Sequence, residues 1–364
     1  MRTYLHIGAE KTGTSSLQQF FRLNRNLLKQ SSTLYSEVAG AESHMALSAA
    51  AQHEQKYDDL RIIYQLDTPT KVREFRKSLT QRLMTEAEES NCSQLVLSSE
   101  HCSSRLNSVV EIEMLARILR PVSNDIRVIV YIRRQDDFLC STYSTDVKSG
   151  FTGPMTLPSV DIRKSRYDYY ELLKRWSSVF GKDNTVCRIY DAKRLKDGDV
   201  VADFIELIGL TLPPDYVNPP RVNESLDVTA LEFLRMFNKT VPRFKDNRKN
   251  PARGNIVQLL KRVSQGANPA LSGEQLDEFM RFFHHSNAMV AEEYFGTFSR
   301  VGDPLFGETG SSKNRAEMQP ISAEKAVMLA ALLWEQKQEQ LLKQGERIAH
   351  LQKKRTKAAP VFAE

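Results

Sequence analysis

A chain of 364 residues can bury a sizeable core, either as one large domain or as two modest ones. With 41% hydrophobic and 26% charged residues it has the make-up of an ordinary soluble globular protein. No run reaches the roughly 18 apolar residues of a membrane span. A formal net charge of +6 and a pI near 9.0 favour an anionic ligand or partner, without separating nucleotide, acidic polysaccharide, nucleic acid or membrane surface.

The chain opens on an apolar run, residues 3 to 7, that predicts a buried strand. It has no charged-then-apolar leader, so the expected location is cytoplasmic. Next comes "GAEKTGTSS", residues 8 to 16, and then a predicted amphipathic helix over 15–29 with Leu17, Phe20, Phe21 and Leu27 toward the core. Further helices are predicted over 71–89, 109–119, 135–148, 167–180 and 199–209. Strands are predicted over 94–98, 126–132 and 185–190. Strands alternating with helices of this length predict an α/β fold: a central parallel sheet of the P-loop type, flanked by helices, with a helical C-terminal portion. Ligands of such sheets bind at the carboxyl ends of the strands.

Farther on, 218–227 reads as a loop and 239–256 as an exposed basic loop. A long polar helix is predicted over 322–355. In that helix Val327, Trp334, Leu341 and Ile348 fall seven apart, but Lys337 and Gln344 hold the companion positions. The pattern therefore favours a packed terminal helix with a solvated basic end over a coiled coil. The expected organisation is an α/β domain over 1–310, followed by a loop and this helix over 311–364. Cys92, Cys102, Cys140 and Cys187 lie scattered, without metal-ligand spacing, and read as reduced thiols.

A strand, a glycine-bracketed loop and a helix start together make an anion site, because unpaired backbone N–H groups converge there and the helix dipole adds positive charge. Gly8 and Gly13 have GxxxxG spacing. The Lys-Ser/Thr pair that a metal-bound triphosphate needs is replaced by Thr14-Ser15, and the lysine, Lys11, lies inside the loop. A plain turn feeding a helix with a Thr or Ser cap is the alternative. A second cluster, "VIVYIRRQDDFLCSTYS", ends a predicted strand with Arg133 and places Ser141 eight residues later. A guanidinium offers phosphate a fixed fork, and the hydroxyl adds a donor. A third, "LVLSSEHCSSR", puts Glu100 and His101 just after another predicted strand, where a general base would sit.

"HIGAEKTGTSSLQ" resembles the 5′-phosphosulfate loop of sulfotransferases that use 3′-phosphoadenosine 5′-phosphosulfate (PAPS), and the Arg133–Ser141 spacing resembles that family's 3′-phosphate site. The resemblance, closest to bacterial carbohydrate sulfotransferases, covers residues 3 to 306. It implies that Lys11, Thr12, Gly13, Thr14 and Ser15 hold the phosphosulfate, with Lys11 near the leaving oxygen, and that Arg133 and Ser141 hold the 3′-phosphate. It also implies Glu100 as base, with His101 the alternative, PAPS as sulfuryl donor without a required metal, and a saccharide or glycan hydroxyl as acceptor. No nucleic acid partner is expected, and membrane association is at most peripheral, through the basic C-terminal helix. "PPRVNESL" occupies the place of the family's third nucleotide segment but lacks its Lys-Gly signature; Arg221 and Asn223 stand there. His44, after a glycine-containing loop, could face the acceptor or be structural. A P-loop kinase using ATP and a non-enzymatic basic adaptor for nucleotide or polyanion are the competing readings.

Overall fold

The strands are apolar without alternation because both faces of the sheet they form are covered. The computed structural model describes residues 1–219, 225–245, 248–297, 303–307 and 314–357, with side chains to 351. In its first half β1 (Arg2–His6) leads into α1 (Thr14–Gln30), β2 (Thr33–Tyr35), α2 (Met45–Ala51), α3 (Asp59–Ile63) and α4 (Pro69–Ser90). Then come β3 (Gln94–Ser98), α5 (His101–Arg105), α6 (Val109–Leu119), β4 (Asp125–Ile132) and α7 (Gln135–Lys148). The short α8 (Val160–Ile162), α9 (Tyr169–Phe180), β5 (Thr185–Ile189) and α10 (Val200–Leu207) follow. The five strands pair in parallel in the order β2-β3-β1-β4-β5, with Leu5 opposite both Leu97 and Val128. The predicted α/β class with a central parallel sheet is therefore observed.

Alternate residues of each strand feed opposite cores. Leu5, Leu97, Val128 and Val130 pack with Leu83, Ile112, Leu115 and Trp176 from α4, α6 and α9. Tyr4, Val96, Ile129 and Tyr131 pack with Leu17, Phe20 and Phe21 of α1 and Phe204 of α10. Each fully buried large apolar side chain contributes about 1.5–3 kcal/mol. The expectation for Leu27 is corrected. The stripe of α1 runs Leu17, Phe21, Asn24, Leu28 at helical spacing, so Leu28 is buried and Leu27 is rotated off it to half-burial. Two predicted starts shift by a capping residue. Asp168 accepts the Glu171 N–H ahead of α9, and Asp199 accepts those of Val201 and Ala202 ahead of α10.

The chain divides into two compact units. The first comprises Met1–Leu139, Leu157–Val222 and Leu276–Gly310, and holds the sheet. The second comprises Cys140–Thr156, Asn223–Gln275 and Ser311–Glu364. Its main elements are α11 (Val228–Thr240), the strand pair β6 (Phe244–Lys245) and β7 (Arg248–Lys249), α12 (Ile256–Val263) and β8 (Asn268–Ala270). Most of α13 (Gly273–Phe282) and all of α14 (His284–Phe295) belong to the first unit, and the second resumes with β9 (Arg315–Glu317), which pairs with β8, and α15 (Ala323–Lys357), which ends the described chain. The predicted loop over 239–256 thus contains a short antiparallel pair and a 3₁₀ turn, Pro251–Arg253. Helix α15 packs on α11 and α12 with Leu333 buried, while Val327, Trp334, Leu341 and Ile348 are solvent-exposed. Among the described residues no helix is long and apolar enough to cross a membrane. All four cysteines are reduced and buried.

Candidate functional site at the carboxyl edge of the sheet

Pairing of β1 with β4 continues past the strand. Tyr131 N–H donates to Gly8 O at 2.7 Å and Ala9 N–H to Tyr131 O at 2.8 Å, so the loop proper spans Glu10 to Gly13. Gly8 (φ 99°) lies against the start of α5, where a Cβ would come 3.1 Å from Glu100 Cα and from Ser103 Oγ. Gly13 (φ 79°) sits under Tyr190 and Val200, where a Cβ would come 3.0 Å from the tyrosine ring and 2.8 Å from Val200 Cγ1. Both positions combine a left-handed backbone with a close approach that only glycine permits.

Between them Lys11 itself has φ 64°, unusual for a residue with a side chain. Its carbonyl is turned toward β4, where Arg133 Nη1 donates to it at 2.7 Å. Thr12 and Thr14 Oγ1 both donate to Ala9 O, at 2.6 and 3.3 Å. Their hydroxyl protons thus brace the loop. Gly13 caps α1 without a side-chain hydrogen bond, and no acidic residue stands in the first turn. Ser15 is exposed there. The alternative of a simple Thr- or Ser-capped turn does not hold, and the positive end of α1 opens on the loop.

Arg133 is buried, with its guanidinium 5.8 Å from the Tyr190 ring centroid and 3.7 Å from Asp137. Its Nε is buried without a hydrogen-bond partner among the described residues. Arg134 turns instead onto Asp136, at 3.1 Å. Ser141 lies four residues beyond Asp137 along α7 and belongs to the second unit. Within the first unit the structure therefore brings Lys11, Gly13, Arg133 and Tyr190 together.

Glu100 forms the start of α5, and its Oε2 accepts Gln18 Nε2 at 2.9 Å. Gln18 is buried, and its amide also lies 3.4 Å from Ser98 Oγ, which is 2.8 Å from His6 Nδ1. Burial pushes His6 down to about 3, so its ring is neutral beneath the loop. His101 follows Glu100 and is half-buried. Cys102 beside it is pushed up to about 12 by burial and is a neutral thiol at pH 7. His44 is structural. Its Nε2 lies 3.0 Å from Ser36 O, and its Nδ1 accepts the Ser98 N–H at 2.9 Å.

A cavity of about 450 Å³ adjoins the loop and α5, lined among others by Ala9, Glu10, Ser103, Ser104, Asn107 and Phe138. A second, of about 380 Å³, lies by Ser16, Asp199, Tyr216 and Asn218. Arg221 and Asn223 lie outside the described residues. No group of three or more His, Cys, Asp or Glu side chains is arranged to hold a metal among the described residues.

Sequence reasoning missed Tyr190, Gln18 and Arg166, the last pairing with Glu10 at 2.6 Å. Tyr190 was within reach, since it follows β5 just as Arg133 follows β4. Gln18 faces inward from α1 at a position that periodicity reads as core.

No family model matches the sequence. An uncharacterized protein of Archaeoglobus fulgidus is 28% identical over 171 residues, which are 47% of this chain and 46% of that protein, so the likeness spans just under half of each. The crystal structure of a sulfotransferase from Alicyclobacillus acidocaldarius aligns over 69% of this chain and 98% of its own, at 15% identity and a TM-score of 0.36. Neither likeness carries a residue role over to this chain.

Proposed function

We propose that the protein is a sulfotransferase moving a sulfuryl group from PAPS to a saccharide hydroxyl. The observation that carries this reading is the bond from Arg133 to the Lys11 carbonyl, which ties an anion-binding loop to a second cation at the neighbouring strand end. PAPS has two anionic ends to match, the 5′-phosphosulfate and the 3′-phosphate. The uncapped start of α1 and Lys11 suit the first. The buried, partly unbonded Arg133 guanidinium suits the second, with Ser141 as a further donor. The cavity by Ser16 and Tyr216 suits the nucleoside, and the cavity by Ser103 and Ser104 suits the acceptor.

In the reaction the acceptor oxygen attacks sulfur in line with the bridging oxygen. The new S–O bond forms as the bond to the 5′-phosphate breaks, and adenosine 3′,5′-bisphosphate (PAP) departs with the electron pair. Glu100, held by Gln18, takes the acceptor proton, and His101 is the alternative base. The Lys11 ammonium meets charge developing on the leaving phosphate. The direct test is transfer of labelled sulfate from PAPS to a pool of saccharides. Labelled product is expected, and its absence across a broad pool would leave the reading without an acceptor.

Arg133 has two tasks in this account, so its removal has two effects. Arg133→Ala releases the Lys11 carbonyl and weakens adenosine 5′-phosphosulfate as well as PAP. PAP loses roughly 10-fold more, because each hydrogen bond to a charged group contributes about 1.5–3 kcal/mol. Calorimetric titration with both nucleotides reads the difference. Equal losses would confine Arg133 to bracing the loop. Ser141→Ala has the milder effect, on PAP alone.

A further inference from the structure

The cavity assigned to the acceptor carries four charged side chains, Glu10, Arg105, Arg166 and Asp168, and the fold answers each of them. Arg166 Nη2 donates to Glu10 Oε2 at 2.6 Å, and its guanidinium lies 5.5 Å from the Phe138 ring centroid. Arg105 is held between Asp58, at 3.4 Å, and Asp59, at 3.0 Å. Asp168 caps α9 and accepts Ser286 Oγ at 2.5 Å. Two acids thus balance two arginines on the wall, and behind Arg105 the Asp58 and Asp59 carboxylates are accompanied by Lys56, whose Nζ donates to the Arg105 carbonyl. The cationic excess of the whole chain is not found here.

An anionic acceptor entering this cavity would have to pull Arg166 or Arg105 off its carboxylate, leaving that carboxylate beside the incoming charge. The Glu10 side chain is only 23% exposed, so water compensates poorly for the lost partner. Neutral hydroxyls meet no such penalty. They can donate to the remaining lone pairs of Glu10 and Asp168 and bond the Ser103 and Ser104 oxygens, while Phe138, Ile162 and Leu172 give the C–H face of a ring an apolar wall.

We infer that the acceptor is an uncharged saccharide or polyol, and that the Glu10–Arg166 pair rejects carboxylated or already sulfated acceptors. This rests on the transferase reading above. The selection works by repulsion as much as by attraction.

The test uses the full chain with PAPS and two acceptor sets, neutral malto- and cello-oligosaccharides against unsulfated and sulfated chondroitin oligosaccharides. It compares kcat/KM in the wild type, Glu10→Gln and Arg166→Gln. The wild type should favour the neutral set by 10-fold or more. Glu10→Gln releases Arg166 and should shrink that ratio on the order of 10-fold, whereas Arg166→Gln leaves Glu10 uncompensated and should enlarge it. Opposite movements are not what two merely destabilised variants would show.

A wild-type preference for the charged set, or a ratio that neither variant moves, overturns the inference. So does PAP binding without sulfation of either set, since the acceptor is then no such saccharide. Failure of PAP to bind the wild type would instead overturn the transferase reading, and this inference with it.

Discussion

Lys11→Ala should leave a folded protein that transfers almost no sulfate. The lysine stands in a loop whose geometry is set by other groups: Gly8 and Gly13 on either side, Arg133 on its carbonyl, and Thr12 and Thr14 on Ala9. Removing the ammonium leaves those ties in place but takes away the cation proposed to meet the leaving phosphate. Loss of one such transition-state contact costs about 10²–10³ in turnover. Alanine at φ 64° adds backbone strain, so Lys11→Gly is the companion variant. It should be at least as stable as Lys11→Ala and equally inactive. Rates at saturating PAPS, with melting temperatures for both variants, check this. Near-normal turnover in either would remove Lys11 from the chemistry.

Glu100→Gln should have the second-largest effect. The side chain keeps its size and its place at the start of α5, and an amide can still accept from Gln18 Nε2 through its oxygen. It cannot take a proton from the acceptor. PAP binding should therefore survive while kcat falls by about 10²–10⁴. His101→Ala should cost less, acting at most through the placement of Glu100. If the glutamine variant turns over like the wild type and the His101 variant is dead, the base is the histidine.

The sheet was legible because strands buried on both faces read as unbroken apolar runs, and β3 and β4 lie where 94–98 and 126–132 placed them. Short elements were not. β2 has three residues, and α2, built from "MALSAAA", has too little periodicity to announce a helix. In the site, the rule that ligands meet strand carboxyl ends pointed to Lys11, Glu100 and Arg133. It could not show that Arg133 braces the loop, because that bond depends on a positive φ at Lys11. Nor could it find Arg166, which reaches Glu10 from 156 residues away. Such pairings are made by packing, and no local pattern in the chain encodes them.

The central claim is that two anion sites, one on the loop and one at Arg133, receive the two anionic ends of one nucleotide. Thermal shifts with PAP, ADP and ATP at equal concentration, in metal-free buffer, test it most directly. A ligand at a hundredfold excess over its Kd stabilises the folded state by about 2.7 kcal/mol. PAP, with its 3′-phosphate, should shift the melting temperature clearly more than ADP or ATP, and Arg133→Ala should erase most of that advantage. Shifts by ATP or ADP equal to that of PAP would contradict the second site and return the protein to the ATP-using class.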